Sequence, residues 1–193
     1  MTYYLSVDIE TTGLDPETCQ TIEIAAALDS ATEPLLKPLM FHCYIDHGLF
    51  QGEAYALSMH SKIFRAIATK TAPCPVFNEF EVMAEFAKFL EVVPQKDRIT
   101  VAGKNFGSFD RLFLGKLPDA KLVLKRFRHR YIDTGALYWE PTTDGFVLPD
   151  SNECLKRAGI TDHDTEHTAI SDSLDTCDLI RKHPRTAALW TQN

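Results

Sequence analysis

The spacing of apolar and polar residues in the first quarter of the chain indicates three β-strands. Residues 3–10 form an apolar run that ends in acids, and residues 21–29 and 39–46 are two further apolar runs. Short apolar runs bounded by turn residues are typical of strands. The stretch 47–56, which contains two glycines, is expected to be a loop. The sequence therefore predicts an opening meander of three strands.

The rest of the chain alternates between helical spacing and short apolar runs. Apolar residues recur every three or four positions, which predicts helices, and Pro75 and Pro94 flank the clearest case. In the last helix, Ile170, Leu174, Cys177 and Ile180 are expected on one side. Helices are predicted within 56–67, 76–93, 108–117, 151–160 and 167–182, a strand at 98–103, and a strand followed by a helix within 128–137. This order predicts one α/β domain with a mixed sheet, covering residues 1–193.

Charge and cysteine content narrow the function classes. The chain has 193 residues, with 27 Asp and Glu against 20 Lys and Arg, and a net charge of -7. A general nucleic-acid coating protein should be basic, whereas an enzyme that grips a few phosphates through metal ions need not be. Five scattered cysteines without a C-x-x-C pair are typical of a reducing compartment. The N-terminus has no basic region and no apolar stretch is as long as a membrane span, so a cytoplasmic location and no membrane association are expected.

One dense basic segment stands out against this acidic background. It contains Lys121, Lys125, Arg126, Arg128 and Arg130. Such a segment is either a solvated face or a surface that contacts phosphates, and the sequence leaves both open.

Two acids, Asp8 and Glu10, end the first strand with one residue between them. Side chains alternate along a strand, so both carboxylates point to the same face. Like charges this close repel, and either solvation in a turn or a bound cation relieves the repulsion. Oxygen ligands suit Mg²⁺ or Mn²⁺.

Two further acids and a histidine accompany predicted helices. Asp110 opens one helix, and Asp172 lies near the start of another, five residues after His167. In a regular helix, two side chains five residues apart point about 140° away from each other. His167 and Asp172 can therefore face the same cleft only if His167 lies before the helix begins. Several carboxylates converging with one histidine describe a two-metal phosphodiesterase.

Three motifs containing these residues resemble those of the DEDD-type 3′–5′ exonucleases. VDIETTGLDPE followed by TIEIAA resembles the first motif, GKNFGSFDRLFL is similar to the second, and HTAISD is similar to the histidine form of the third. The group is RNase H-like and includes polymerase proofreading subunits and oligoribonuclease, to which FRHRYIDTGAL is also similar. The chain departs from the pattern at Lys104, where many members carry histidine, and in residues 47–70.

The resemblance implies an RNase H-like mixed β-sheet flanked by helices and a site for two Mg²⁺ or Mn²⁺ ions. Asp8, Glu10 and Asp172 would hold the ion that carries the attacking water, with Asp8 bridging to the second ion. Asp110 would support the second ion through water molecules. His167 would be the general base, preferred over His163 in the neighbouring polar stretch.

The resemblance also suggests residues that contact the terminal nucleotide. Thr11, Thr12 and Gly13 would line it, and Leu14 would wedge against the last base. A turn with Leu14 in the core is the alternative interpretation of this stretch. Asn105 is either a turn former or a polar group that holds the second motif. Phe109 is either a core residue, which we favour, or a stacking platform for a base.

The expected function is a metal-dependent 3′–5′ exonuclease that releases nucleoside 5′-monophosphates from single strands. Its partners would be 3′ ends of RNA or DNA, short oligonucleotides included, and homodimer formation is left open. Two alternatives are a polymerase-associated proofreading exonuclease and a catalytically silent nucleic-acid or protein-binding module on the same fold.

Overall fold

The computed structural model describes residues 2–94, 97–161 and 167–190. Within these residues the chain forms both strands and helices, as the predicted α/β fold requires. The strands are β1 (Tyr3–Thr11), β2 (Thr21–Ser30), β3 (Leu39–Asp46), β4 (Val76–Asn78) and β5 (Thr100–Ala102). The longer helices are α2 (Ser61–Thr69), α3 (Val82–Glu91), α8 (Ser151–Arg157), α9 (Ala169–Lys182) and α10 (Pro184–Trp190). The shorter helices are α1 (Ala54–Met59), α4 (Asp110–Leu114), α5 (Lys121–Leu124), α6 (Thr134–Leu137) and α7 (Pro141–Asp144).

The strands form one mixed sheet in the order β4-β3-β2-β1-β5. β1, β2 and β3 pair antiparallel, which confirms the predicted meander, while β5 joins β1 in parallel and β4 joins β3 in parallel. The pairing of β1 with β2 places Glu10 opposite Glu23 and shifts register between Glu10 and Thr11. The end of β1 that carries the two acids therefore lies beside the centre of the sheet.

Alternation along β1 divides its side chains between two layers of helices. Leu5, Val7 and Ile9 are buried in the main core, which also contains residues of α3, α4 and α5. Tyr4 points to the opposite face, where it packs with Cys177 of α9. Asp8 and Glu10 follow Tyr4 at even positions, so they lie on the α9 side of the sheet.

A buried ion pair fixes α9 across the sheet. Arg181 Nε donates to Asp29 Oδ2 at 2.7 Å, and the Tyr4 hydroxyl donates to the same oxygen at 3.1 Å. Asp29 is fully buried in β2, so its charge depends on these partners. The C-terminal end of α9 is therefore held, which orients its N-terminal end toward the acids of β1.

Residues 126–132, here called the edge segment, run alongside β5 at the border of the sheet. Ile99 N–H donates to the carbonyl of Arg126 at 2.7 Å, and Arg128 N–H donates back to Ile99 at 2.9 Å. Further along, Ile132 N–H donates to the carbonyl of Val101 at 2.9 Å. The predicted strand within 128–137 is present only as isolated bridges of this segment, and α6 follows it.

Two predicted helices are corrected by the structure. The helix expected at 56–67 is two helices, α1 and α2, which meet at His60, whose φ of -91° and ψ of 19° lie outside helical values. The helix expected at 76–93 begins only at Val82, because Val76–Asn78 pairs with β3 as β4. The Asn78 side chain then accepts hydrogen bonds from the backbone N–H groups of residues 80 and 81 and starts the turn into α3.

The buried face of α9 also differs from the prediction. Leu174 is exposed, and the residues that face the sheet include the small side chains Ala169, Ser173 and Cys177. Small residues let α9 approach the alanine-rich centre of β2 closely. A prediction based on the spacing of large apolar residues cannot detect such a contact.

None of the helices in the described residues is long and apolar enough to cross a lipid bilayer.

Candidate active site

Strand β1 and helix α9 bring three carboxylates together. One oxygen each from Asp8, Glu10 and Asp172 lies within 4.8 Å of the others. Asp8 and Glu10 come from one face of β1, and Asp172 from the first turn of α9. Oxygen ligands at this spacing can share one divalent cation.

The N-terminus of α9 positions His167 beside this cluster. Thr168 caps the helix, and its hydroxyl and the side chain of Ser171 form a reciprocal capping box. His167 therefore stands just outside the helix, and its Nδ1 lies 3.6 Å from Asp172 Oδ2. Its imidazole is 63% exposed, so a substrate or water can reach it. The rival base, His163, lies outside the described residues.

Asp110 adds a fourth carboxylate to the acidic group. It is the first residue of α4 and is buried. Asp8, Glu10, Asp110, His167 and Asp172 all line one open cavity of about 520 Å³, here called the acidic cavity. The five residues singled out by their motifs thus surround a single space.

Burial raises the pKa of the carboxyl groups in the acidic cavity, and repulsion between neighbouring acids adds to it for Asp8 and Glu10. Burial raises the pKa of Glu10 to about 8, with further contributions from Glu23, Asp172 and Asp110. Burial also raises the pKa of Asp110 to about 7, although backbone N–H groups oppose the shift. The pKa of Asp8 is raised by burial first and then by Asp110 and Asp172. Crowded carboxylates whose ionisation is disfavoured fit a site for divalent cations, because bound positive charge would reverse these shifts.

The structure adds a buried acid and two histidines that the sequence interpretation missed. Glu23 is 1% exposed and lies opposite Glu10, and its Oε1 is 2.7 Å from His42 Nε2. Burial alone would lower the pKa of His42, but hydrogen bonds to Cys74 and Glu23 raise it to about 9. An acid in the middle of the apolar stretch TIEIAAA was the available signal for Glu23.

His60 approaches the cluster from the junction of α1 and α2. Its Nε2 lies 3.4 Å from Glu10 Oε2, and its side chain is 9% exposed. Burial lowers the pKa of this imidazole. His60 therefore contacts Glu10 from the junction of α1 and α2, and only a tertiary contact reveals it.

The stretch after β1 is held by internal hydrogen bonds. The Thr11 hydroxyl donates to the carbonyl of Gly13 at 2.7 Å, and the Thr12 hydroxyl donates to the carbonyl of Gln51 at 2.6 Å. Thr12 is fully buried, and its hydroxyl oxygen also accepts from Gln20 N–H. A nucleotide contact of Thr11 or Thr12 stays a prediction, since both hydroxyl hydrogens already have acceptors within the protein.

Gly13 and Leu14 occupy contrasting positions in this turn. A Cβ at Gly13 would lie 2.5 Å from the sulfur of Cys19 and 2.8 Å from Glu53, so a side chain has no room there. Leu14 is 74% exposed, so the alternative interpretation, in which its side chain fills the core, is wrong. Its N–H donates to Glu53 Oε1 at 3.0 Å. Neither residue lines the acidic cavity among the residues described.

Residues of the second motif form another wall of the acidic cavity. Asn105 and Phe109 both line it, together with Lys104. Asn105 is a turn former with φ of 56°, and its carbonyl accepts from the N–H groups of residues 108 and 109. Phe109 is half-buried against the main core, and its ring centre lies 4.9 Å from that of Phe113.

The mixed five-stranded sheet and its helices match the fold of Exonuclease I. The structure resembles Escherichia coli Exonuclease I in complex with a dA16 oligonucleotide, with a TM-score of 0.63 and 17% identity, covering 100% of this chain and 43% of that one. It also resembles Exonuclease I from Methylocaldum szegediense, with a TM-score of 0.62 and 16% identity, covering 96% and 41%. The chain thus spans less than half of the length of these structures.

Sequence similarity identifies the family. Residues 5–180 match the RNase T family, described as Exonuclease, and the chain belongs to this exonuclease family. It is 29% identical over 149 residues to the oligoribonuclease of Vibrio campbellii, covering 72% of this chain and 78% of the relative. It is 29% identical over 158 residues to the oligoribonuclease of Aliivibrio fischeri, covering 77% and 83%.

Proposed function

We propose that this protein is a metal-dependent 3′–5′ exonuclease of the histidine subclass that hydrolyses single-stranded RNA or DNA, short oligonucleotides included, to nucleoside 5′-monophosphates. The observation that carries the proposal is the convergence of Asp8, Glu10 and Asp172 within 4.8 Å, with His167 at 3.6 Å from Asp172. We extend it to residues 1–193 as one exonuclease domain, since a single sheet and its helices account for the described chain.

Asp8, Glu10 and Asp172 would hold one Mg²⁺ or Mn²⁺, and Asp8 with Asp110 a second. When bound, such ions lower the pKa of water and neutralise charge on a phosphodiester. Asp110 reaches the same cavity from α4, so its carboxylate would hold the second ion together with that of Asp8. The raised pKa of these carboxyls supports the assignment, because they ionise fully only beside positive charge.

His167 would take the proton from the attacking water. Its exposure lets it reach water in the open cavity, and its contact with Asp172 orients the ring toward the same carboxylates. Imidazole side chains are common general bases in enzymes. We keep Leu14 and the turn at residues 11–13 as the proposed contacts of the terminal nucleotide, supported by the exposure of Leu14.

The direct test uses single strands labelled at the 5′ end. With Mg²⁺ or Mn²⁺ the expected product is a ladder that shortens from the 3′ end, and EDTA should abolish it. Asp8→Asn should abolish cleavage, and Glu91→Gln, which changes an exposed acid at the end of α3, should not.

Two outcomes would contradict the proposal. Internal fragments at early times, or cutting of a closed circular strand, would show an endonuclease. Metal binding without cleavage of any RNA or DNA strand would favour the silent binding module.

A further inference from the structure

A second cavity is lined mainly by cations. It lies near the start of β5, whereas the acidic cavity lies beyond the end of that strand. Arg98, Lys125, Arg126 and Arg128, with the carboxylate of Asp97, surround a space of about 520 Å³, here called the basic pocket. The chain as a whole carries a net charge of -7. Four cations against one acid therefore reverse the sign of the charge locally, which fits an anionic ligand.

The fold builds this pocket from two separate parts of the chain. Arg98 precedes β5, while Arg126 and Arg128 belong to the edge segment beside it. Alternation buries Phe127 in the main core and turns Arg126 and Arg128 away from that core. Three members of the dense basic segment thus meet Arg98, which the sequence places about 30 residues earlier.

The edge segment connects the basic pocket to the acidic cavity. Directly after it, Asp133 accepts a hydrogen bond from Asn105 N–H at 2.9 Å, and Thr134 lines the acidic cavity. The nine residues from Arg126 to Thr134 span at most about 26 Å, since eight steps of about 3.3 Å separate their ends. A stacked strand at about 3.4 Å per nucleotide covers that distance in about eight nucleotides, and an extended strand needs fewer.

We propose that the basic pocket binds the phosphate backbone of a single-stranded nucleic acid on the 5′ side of the nucleotides held in the acidic cavity. The inference rests on the proposed function, because it treats the acidic cavity as the place of the 3′ end. Single-strand binding through a positively charged groove is sequence-tolerant and strongly dependent on salt. The pocket would make the enzyme favour strands long enough to reach it over strands of two or three nucleotides.

The test compares a pocket variant with a matched control. Lys125→Gln combined with Arg128→Gln removes two exposed cations of the basic pocket. Arg65→Gln combined with Lys70→Gln removes two exposed cations at α2, which packs on β3 toward the other border of the sheet. Binding of a dT12 strand is measured by fluorescence anisotropy in EDTA across a salt series. Cleavage efficiency, kcat/KM, is measured with Mn²⁺ on dT3 and dT12.

The pocket variant should bind dT12 about tenfold more weakly at low salt, and its slope of log affinity against log salt should flatten by about 1.4, since each single-strand phosphate contact contributes about 0.7. Its kcat/KM should fall on dT12 and stay unchanged on dT3, and the control should match the wild type. An unchanged dT12 affinity and salt slope, or an equal loss on dT3 and dT12, would overturn the inference. A changed oligomeric state in gel filtration with an unchanged slope would assign the pocket to a protein contact and overturn it too.

Failure of the proposed function gives a different pattern. Wild-type protein that cleaves neither strand would sink the exonuclease assignment. The binding measurement in EDTA would still decide whether the basic pocket holds a single strand.

Discussion

Glu10→Gln is expected to stabilise the metal-free protein at alkaline pH, although Glu10 is a proposed metal ligand. Glu10 has a pKa of about 8 in the folded chain against an ordinary value of 4.5, chiefly because of burial. The folded state therefore binds its proton more tightly than the unfolded state does. Stability from this group is fully present below pH 4.5 and is lost as the pH rises toward 8.

The size of the effect follows from the two pKa values. At about 1.36 kcal/mol for each pH unit between them, the loss from Glu10 is about 1 kcal/mol at pH 5 and about 4 kcal/mol at pH 8. Glutamine carries no charge, so the variant should escape this loss. The difference in unfolding free energy between variant and wild type should therefore grow by about 3 kcal/mol from pH 5 to pH 8.

Urea unfolding in EDTA at several pH values measures this difference. Glu91→Gln is the control, because its carboxylate is exposed and should leave the pH dependence unchanged. Saturating Mg²⁺ should stabilise the wild type more than the variant, since a ligand that binds only the folded state adds to its stability. A wild type whose stability does not fall between pH 5 and pH 8, or a variant with the same pH dependence, would refute the reasoning.

Three further changes test His167 in the acidic cavity, the ion pair of Arg181 with Asp29, and the hydroxyl of Thr12. His167→Ala should lower kcat by about a hundredfold or more, the scale of a lost general base, with metal affinity from calorimetry nearly unchanged; His163→Ala as the more damaging change would reverse the assignment. Arg181→Ala should cost about 3 kcal/mol in urea unfolding, because it leaves the buried charge of Asp29 uncompensated, and a neutral effect would mean that the pair does not fix α9. Thr12→Val should cost about 1–3 kcal/mol by leaving a carbonyl without its donor, while an unchanged melting temperature with a raised KM would instead support a nucleotide contact.

The sequence predicts the elements that carry the acids because local patterns determine them. β1 is a short apolar run and α9 has apolar residues at helical spacing, so Asp8, Glu10 and Asp172 could be placed on their elements without a structure. Their convergence could be inferred only through the resemblance to a family, since residues 10 and 172 are far apart in the chain. The mixed sheet is confirmed by the structure.

Other parts of the site depend on contacts that no local pattern encodes. His60 reaches Glu10 only because the chain bends between α1 and α2, and Glu23 becomes relevant only through the register of β2 with β1. The strand at Val76–Asn78 was predicted as helix because Val76 and Phe80 also fit helical spacing, and pairing with β3 decides against it. Tertiary pairing thus overrides local preference where the elements are short.

The edge segment has a consequence for the behaviour of the protein at high concentration. A sheet border with free backbone groups can recruit a strand from another molecule and so begin aggregation. Here the edge segment forms hydrogen bonds with the N–H and the carbonyl of Ile99, the carbonyl of Val101 and the N–H of Gly103. It also places Arg126 and Arg128 along that border. Charged side chains at an edge oppose the addition of a further strand. The same border that we propose to guide a nucleic acid would therefore also keep copies of the protein apart.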